Sequence, residues 1–158
     1  MSDYLMGGGF DKWLKEVGVS DAPLTRSGLS TALQFFHAHM PNLPRSLRIA
    51  FLKGMDLHKQ VRTTELNPPT VVAAFRKCTE DPFKLFYTKA GTSVRTLGVN
   101  PATRQFQRFR VRTRVVVLES RCVSARDTWT DPTQAVIAEG GGVQFIIPDS
   151  FCPLETIQ

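Results

Sequence analysis

The chain has 158 residues, of which 42% are hydrophobic and 22% charged, and its formal net charge is +6. This length and composition predict a globular chain of about one domain and exclude a disordered one. Because no run of about 18 apolar residues occurs, we expect no membrane-spanning helix.

The N-terminus and the cysteines predict an intracellular location. The first twelve residues have neither a basic segment nor an apolar segment, so a signal peptide is not expected. Cys78, Cys122 and Cys152 are odd in number and far apart, which is typical of free thiols in a reducing compartment. We therefore expect a cytoplasmic or nuclear protein.

Apolar residues in the first half of the chain follow helical spacing. Phe10, Trp13, Leu14 and Val17 recur at i, i+3, i+4 and i+7, and Gly18 ends this first helix. Similar patterns predict three further short helices, at about 28–40 after a Ser27 cap, from Ser46 to about Arg62, and at about 69–79.

Beyond Pro82 the apolar period changes from helical to alternating, which indicates β-strands. Gly140–Gly142 has the composition of a turn that joins the last two strands as a hairpin. The predicted strands lie at 83–87, where a short helix is the alternative, and at 94–99, 104–118, 122–130, 134–138 and 143–147.

Helices that precede strands, rather than alternating with them, predict an α+β fold with a mainly antiparallel sheet. We expect a helical N-terminal region, residues 1–81, and a β-rich region, residues 82–158, in one compact domain.

The segment Arg104–Leu118 has arginine at every second position. Successive side chains of a strand point to opposite faces, so this segment would have one apolar face and one cationic face. The arginines that alternate with apolar residues are Arg108, Arg110, Arg112 and Arg114.

The positive charge of the chain is concentrated around this strand. Residues 82–118 carry eight basic and no acidic residues, whereas the remainder carries 12 basic and 14 acidic residues, a net charge of −2. Such a local excess predicts a polyanion-binding surface, because guanidinium groups match phosphate oxygens. The predicted binding residues are Arg104, Arg108, Arg110, Arg112, Arg114, Lys84, Lys89, Arg95 and the stacking residue Phe106.

A second interpretation of the cationic face needs no external ligand. Carboxylates on neighbouring strands would neutralise the arginines within the chain, the candidates being Glu119, Asp127, Asp131 and Glu139.

Catalytic and cofactor motifs are missing from the sequence. No nucleophile elbow, phosphate-binding loop or dinucleotide-binding motif occurs, so we expect no enzyme activity, no cofactor, no metal and no small-molecule substrate. His37, His39 and His58 are the only residues around which a nuclease-like site could form. His37 and His39 lie in helix-like sequence, where side chains two residues apart do not face one another.

The first helix has a second interpretation as a docking arm. Phe10 and Trp13 follow Gly7-Gly8-Gly9, and large aromatic side chains dominate the energy of protein interfaces. These two residues either join the chain to a neighbouring copy, giving a homo-oligomer, or pack on their own domain.

Together these patterns predict a non-enzymatic, self-associating structural protein that binds RNA or another polyanion, of the viral nucleocapsid or matrix type. The alternative is a peripheral scaffold whose basic face meets an anionic membrane or an acidic protein partner. A small nuclease-like enzyme is the second alternative.

Overall fold

The fold was analysed in a computed structural model, which describes residues 9–76, 86–92, 105–123, 125–127, 136–138, 140–148 and 153–157. Within these ranges three helices precede nine strands. The helices are α1 (Phe10–Val17), α2 (Pro23–His39) and α3 (Arg45–Lys53). The strands are β1 (Arg62–Leu66), β2 (Val71–Arg76), β3 (Tyr87–Lys89), β4 (Gln105–Val111), β5 (Val115–Arg121), β6 (Ala125–Asp127), β7 (Val136–Ala138), β8 (Val143–Ile146) and β9 (Leu154–Ile157).

Seven strands form one antiparallel sheet in the order β1-β5-β8-β3-β2-β4-β9, and β6 pairs with β7 separately. The predicted α+β class with an antiparallel sheet is thus confirmed. The prediction of four helices is wrong, because the described residues hold three helices.

Two of the predicted helices differ in extent from the observed ones. α2 begins at Pro23, whose fixed φ suits the first position of a helix, and not after Ser27. α3 ends at Lys53 because Gly54 follows, and the segment expected to continue this helix to Arg62 contains an isolated bridge between Met55 and Cys122.

The predicted fourth helix is strand β2. Val72, Phe75 and Cys78 have a spacing compatible with a helix, but the run Val71–Phe75 is also an unbroken apolar strand. β2 lies between β3 and β4, so both of its edges are paired. The sheet therefore begins at Arg62, before the predicted change at Pro82.

The last third of the chain also departs from the prediction. β8 pairs with β5 and β3, and β7 pairs with β6, so Gly140–Gly142 does not join a hairpin of β7 and β8. The residues after Pro153, for which the sequence predicts no strand, contain β9, which pairs with β4. The predicted strand at 94–99 lies outside the described residues.

Strand alternation divides the core into two clusters. Leu118 of β5 and Ile146 of β8 pack with the three helices on one face of the sheet. Val117 and Phe145, their chain neighbours, point to the other face and belong to the second cluster. Helices and sheet therefore share one core.

The second cluster is enclosed by the curl of the sheet. Only Arg112, Thr113 and Arg114 connect β4 to β5, and these strands are separated by four inter-strand spacings. Four Cα–Cα steps reach ~15 Å, whereas four spacings in a flat sheet measure ~19 Å. The sheet must therefore curl, and Leu66 of β1 accordingly shares a cluster with Leu154 of β9, although these strands end the strand order.

A buried arginine fixes the end of α2. Arg48 is 1% exposed, and its guanidinium donates hydrogen bonds to the carbonyl oxygens of Leu43 (2.8 Å), Pro41 (3.1 Å) and Met40 (3.4 Å). Its Nη1 has no hydrogen-bond partner among the described residues. Burial lowers the pKa of Arg48 from its usual value, and the helix-terminal carbonyls compensate for the desolvation of the charge.

A buried glutamine ties the α3 end to the sheet. Gln144 of β8 is 3% exposed, and its Nε2 donates to the Gly54 carbonyl oxygen (2.9 Å) and to the Ser120 hydroxyl (3.1 Å). Gly54 itself lies so close to Phe86 that a Cβ at this position would be 2.9 Å from the ring.

The Gln144→Met variant tests this contact. Methionine keeps the length of the side chain but removes the donor to Ser120 and leaves the Gly54 carbonyl only the 3.4 Å hydrogen bond from the Val123 amide. The free energy of unfolding should therefore fall by about 1–3 kcal/mol in urea titrations. Gln34→Met is the matched control, since Gln34 donates to Ser30 on the exposed side of α2. Its effect should stay within about 0.5 kcal/mol, and equal losses in both variants would contradict the assigned role.

Candidate interaction surface

Strand β4 presents two of the predicted arginines on a rigid platform. Arg108 and Arg110 are exposed, whereas Phe109 is half-buried and Val111 is buried in the second core cluster. One edge of β4 pairs with β2, and its other edge pairs with β9. The predicted alternation of cationic and apolar residues is confirmed over this strand.

The predicted single strand Arg104–Leu118 is wrong in extent. The chain leaves the strand conformation over Arg112–Arg114, because it must cross the open side of the curl from β4 to β5. The Arg112 amide still donates to the Pro153 carbonyl oxygen at 2.7 Å, which keeps the start of this connection beside β9. Arg112 and Arg114 are exposed and follow β4 rather than extending its face.

Two of the arginines contact carboxylates that the sequence did not identify. Arg110 Nη1 lies 3.3 Å from Glu155 Oε1 on β9, and Arg114 Nη2 lies 2.8 Å from Glu65 Oε1 on β1. The register places Glu155 directly opposite Arg110. The register of β1 with β5 explains the contact with Glu65, because Glu65 lies opposite Val116 and Arg114 immediately precedes β5.

The carboxylates predicted to neutralise the arginines do not have this role among the described contacts. Glu119 accepts a hydrogen bond of 2.6 Å from Arg62 and raises the pKa of that arginine. Asp131 and Glu139 lie outside the described residues, as does the side chain of Asp127.

Phe106 and Lys89 lie on different faces of the sheet. Phe106 is 52% exposed and shares the strand parity of Arg108 and Arg110. The register aligns Lys89 with Val72 and hence with Phe109, so Lys89 lies on the opposite face from the arginines. Lys84, Arg95 and Arg104 lie outside the described residues. We call Phe106, Arg108, Arg110, Arg112 and Arg114 the arginine surface.

The aromatic residues of α1 pack within their own chain. Trp13 is fully buried, and the Arg45 guanidinium lies 3.8 Å from its ring centroid. Arg45 also donates to Glu16 at 2.7 Å, and Phe10 packs partly buried against the same core. The contacts by which Trp13 would meet a neighbouring copy are thus occupied within the chain. Homo-oligomerisation stays a prediction.

The three histidines are dispersed. His58 Nδ1 lies 3.2 Å from the Thr25 hydroxyl, His39 stacks on Phe35 with 5.0 Å between ring centroids, and His37 is exposed. Within the part of the chain that the structure describes, no three histidine, cysteine or acidic residues are grouped so as to hold a metal ion. In the same part of the chain, none of the helices has the length and apolar character needed to cross a membrane.

The fold of the chain is similar to that of solved structures, although its sequence matches no known family. No protein-family model and no curated protein sequence matches the chain. A chain from the structure of Tse6 in complex with Tsi6 is 17% identical with a TM-score of 0.66, and the match covers 87% of this chain and 99% of that chain. A chain from Rhs1-CT in complex with its cognate immunity protein RhsI1 is 20% identical with a TM-score of 0.43, over 68% of this chain and 82% of that chain.

The expectation of a viral RNA-binding nucleocapsid or matrix protein is therefore wrong. The chain instead shares its fold with a chain from the structure of Tse6 in complex with Tsi6. An arginine-rich strand fixes where positive charge lies but not which ligand it meets, and this is why charge alone suggested a nucleic acid.

The arginine surface should contribute little to folding stability. Arg110→Ala and Arg114→Ala each break an exposed ion pair, and such pairs contribute about 0–1 kcal/mol. Thermal and urea unfolding should thus leave both variants near the parent protein.

Arg48→Ala provides the contrast. It removes a buried donor from three carbonyl groups and should cost about 2–4 kcal/mol, because buried acceptors would lose their partners. A comparable loss in Arg110→Ala would show that the arginine surface belongs to the structural framework.

Proposed function

We propose that the chain acts by binding another protein, as one member of a toxin–immunity pair, and that the arginine surface meets an acidic face of its partner. The shared fold with a component of a two-protein complex supports the general function. The observation that carries the location of the interface is the set of exposed arginines beside Phe106 on strand β4 and the connection that follows it.

The composition of the arginine surface suits a protein interface. Arginine and aromatic residues are enriched among the side chains that dominate binding energy. Guanidinium groups bind carboxylates through two parallel hydrogen bonds, so an acidic partner can be recognised by geometry as well as by charge. The pairing of β4 on both edges holds these side chains in position before binding.

The carboxylates already next to the surface do not prevent this binding. The side chains of Arg110 and Glu155 are 48% and 42% exposed, and those of Arg114 and Glu65 are 66% and 43% exposed. Exposed pairs of this kind are weak, so a partner carboxylate can replace the internal one at little cost. Long-range attraction between the basic surface and an acidic partner would also accelerate association at low salt.

Within this proposal the chain acts by recognition, and the expectation that it is not an enzyme stays a prediction. Growth of a bacterial host distinguishes the two members of a pair. The chain is expressed alone and together with the product of each gene adjacent to its own. Growth arrest by the chain that its neighbour relieves identifies the toxin member, and protection by the chain against its neighbour identifies the immunity member.

Binding between the two purified proteins tests the interface. Arg108, Arg110, Arg112 and Arg114 are changed together to glutamine, which removes four charges from the arginine surface. Isothermal titration calorimetry should then show an affinity at least about tenfold lower, and the parent affinity should fall as salt rises from about 0.05 to 0.3 M.

A charge-matched variant serves as the control. Lys12, Lys15, Lys53 and Lys59 are exposed residues of the helical part, and their change to glutamine also removes four charges. The control should bind its partner within about threefold of the parent, because these lysines lie outside the interface. Equal losses in both variants would show that the effect depends only on net charge. The absence of both binding and a growth effect would overturn the proposal.

A further inference from the structure

A small groove lies beside the arginine surface, where the β4–β5 connection meets the end of α2. Its volume is about 330 Å³. The residues that line it include His39, Arg114, Val115, Val116, Pro148 and Pro153. We call this feature the connection groove.

The connection groove combines an apolar interior with a cationic rim. Val116 is half-buried against the helices, Val115 packs on the second cluster and also borders the groove, and Pro148 and Pro153 add apolar residues. Arg114 lies at the rim with 66% of its side chain exposed, and its Nη2 contacts Glu65. His39, whose ring lies 5.0 Å from that of Phe35 between centroids, also lines the groove.

We propose that the connection groove binds one apolar side chain of the acidic partner, and that a neighbouring carboxylate of the same segment binds Arg114. This inference rests on the proposed function and names the partner segment as an aliphatic residue flanked by aspartate or glutamate. Charge complementarity selects this occupant, because Arg114 lines the groove and the exposed Arg112 lies two residues before it on the same connection.

The size of the connection groove agrees with such an anchor. Pockets for whole small molecules range from about 300 to 1,000 Å³, so this groove is at the lower limit and suits one or two side chains. An anchor that fills a desolvated pocket inside a ring of polar contacts is the usual arrangement of an interface hot spot.

Glu65 has a specific role in this arrangement. Its carboxylate occupies Arg114 at 2.8 Å in the free chain, so it competes with the partner carboxylate. Glu65→Gln should raise the affinity of the segment, whereas Arg114→Gln should lower it. A general loss of structure cannot produce these opposite effects.

Two synthetic peptides test the groove directly with the full chain. One is Asp-Glu-Leu-Asp-Glu, and the other has serine in place of leucine with the same charge. NMR titration should show at least about fivefold tighter binding of the leucine peptide, with shifts centred on Val115 and Val116, because only leucine places an apolar group in the groove. Equal affinities for the two peptides would overturn the inference.

Variants of the chain complete the test. Thr113 is exposed and lines the groove, so Thr113→Phe should fill it and abolish the preference for leucine without lowering the melting temperature. Thr63→Phe is the matched control on an exposed position of β1 and should keep the preference. Arg26→Gln is the charge control for Arg114→Gln, since Arg26 lies 13 residues before His39 on α2, about 20 Å along the helix.

The outcomes separate this inference from the proposed function. Partner binding that depends on the four arginines but not on Thr113→Phe or the leucine overturns the connection groove alone. Binding of isobutyrate with the same affinity as the leucine peptide would assign the groove to a small carboxylate and overturn the protein anchor. The growth experiment and the charge-matched calorimetry decide the proposed function independently.

Discussion

The three-residue connection between β4 and β5 is the constraint on which the rest of the structure depends. It is too short to span a flat sheet, so the sheet must curl, and the curl encloses the second apolar cluster without a second layer of helices. Two residues of the same connection, Thr113 and Arg114, line the connection groove. The second cluster and the groove therefore both depend on this short segment.

The two core clusters stabilise opposite faces of the sheet. The helical cluster uses large apolar side chains and two buried polar anchors, Arg48 and Gln144, and it holds one face of the sheet. The second cluster packs against the apolar face of β4 through Phe109 and Val111. The arginines thus stand on a strand that is stabilised from its apolar face and along both edges, and the surface is ordered before any partner arrives.

The sequence was informative where one period dominated. The helix from Phe10 to Val17, its end at Gly18 and the alternation within Gln105–Val111 follow from spacing and from the conformational freedom of glycine at φ 83°. β2 was assigned to a helix because a strand buried on both faces is apolar throughout and loses its alternating pattern, and Val72, Ala73 and Ala74 are all buried. β9 was missed since a four-residue strand near two prolines carries almost no periodicity.

The arginine surface was located by sequence, but its surroundings were not. Glu155 and Glu65 lie 45 and 49 positions from their arginine partners, and only the registers of β4 with β9 and of β1 with β5 bring them together. Lys89 was assigned to the same patch by composition, yet its register places it on the other face. Charge in a sequence indicates how much of a surface is basic, whereas strand pairing decides which charges share a face and what lies beside them.

The buried Arg48 has a consequence for how a partner interface of this kind could diverge. Its guanidinium holds the carbonyl groups that follow α2, and His39, the last residue of α2, forms a wall of the connection groove. A substitution at position 48 would remove the hydrogen bonds that hold the chain directly after His39. If the connection groove binds a partner as proposed, a buried residue thus influences recognition without contacting the partner.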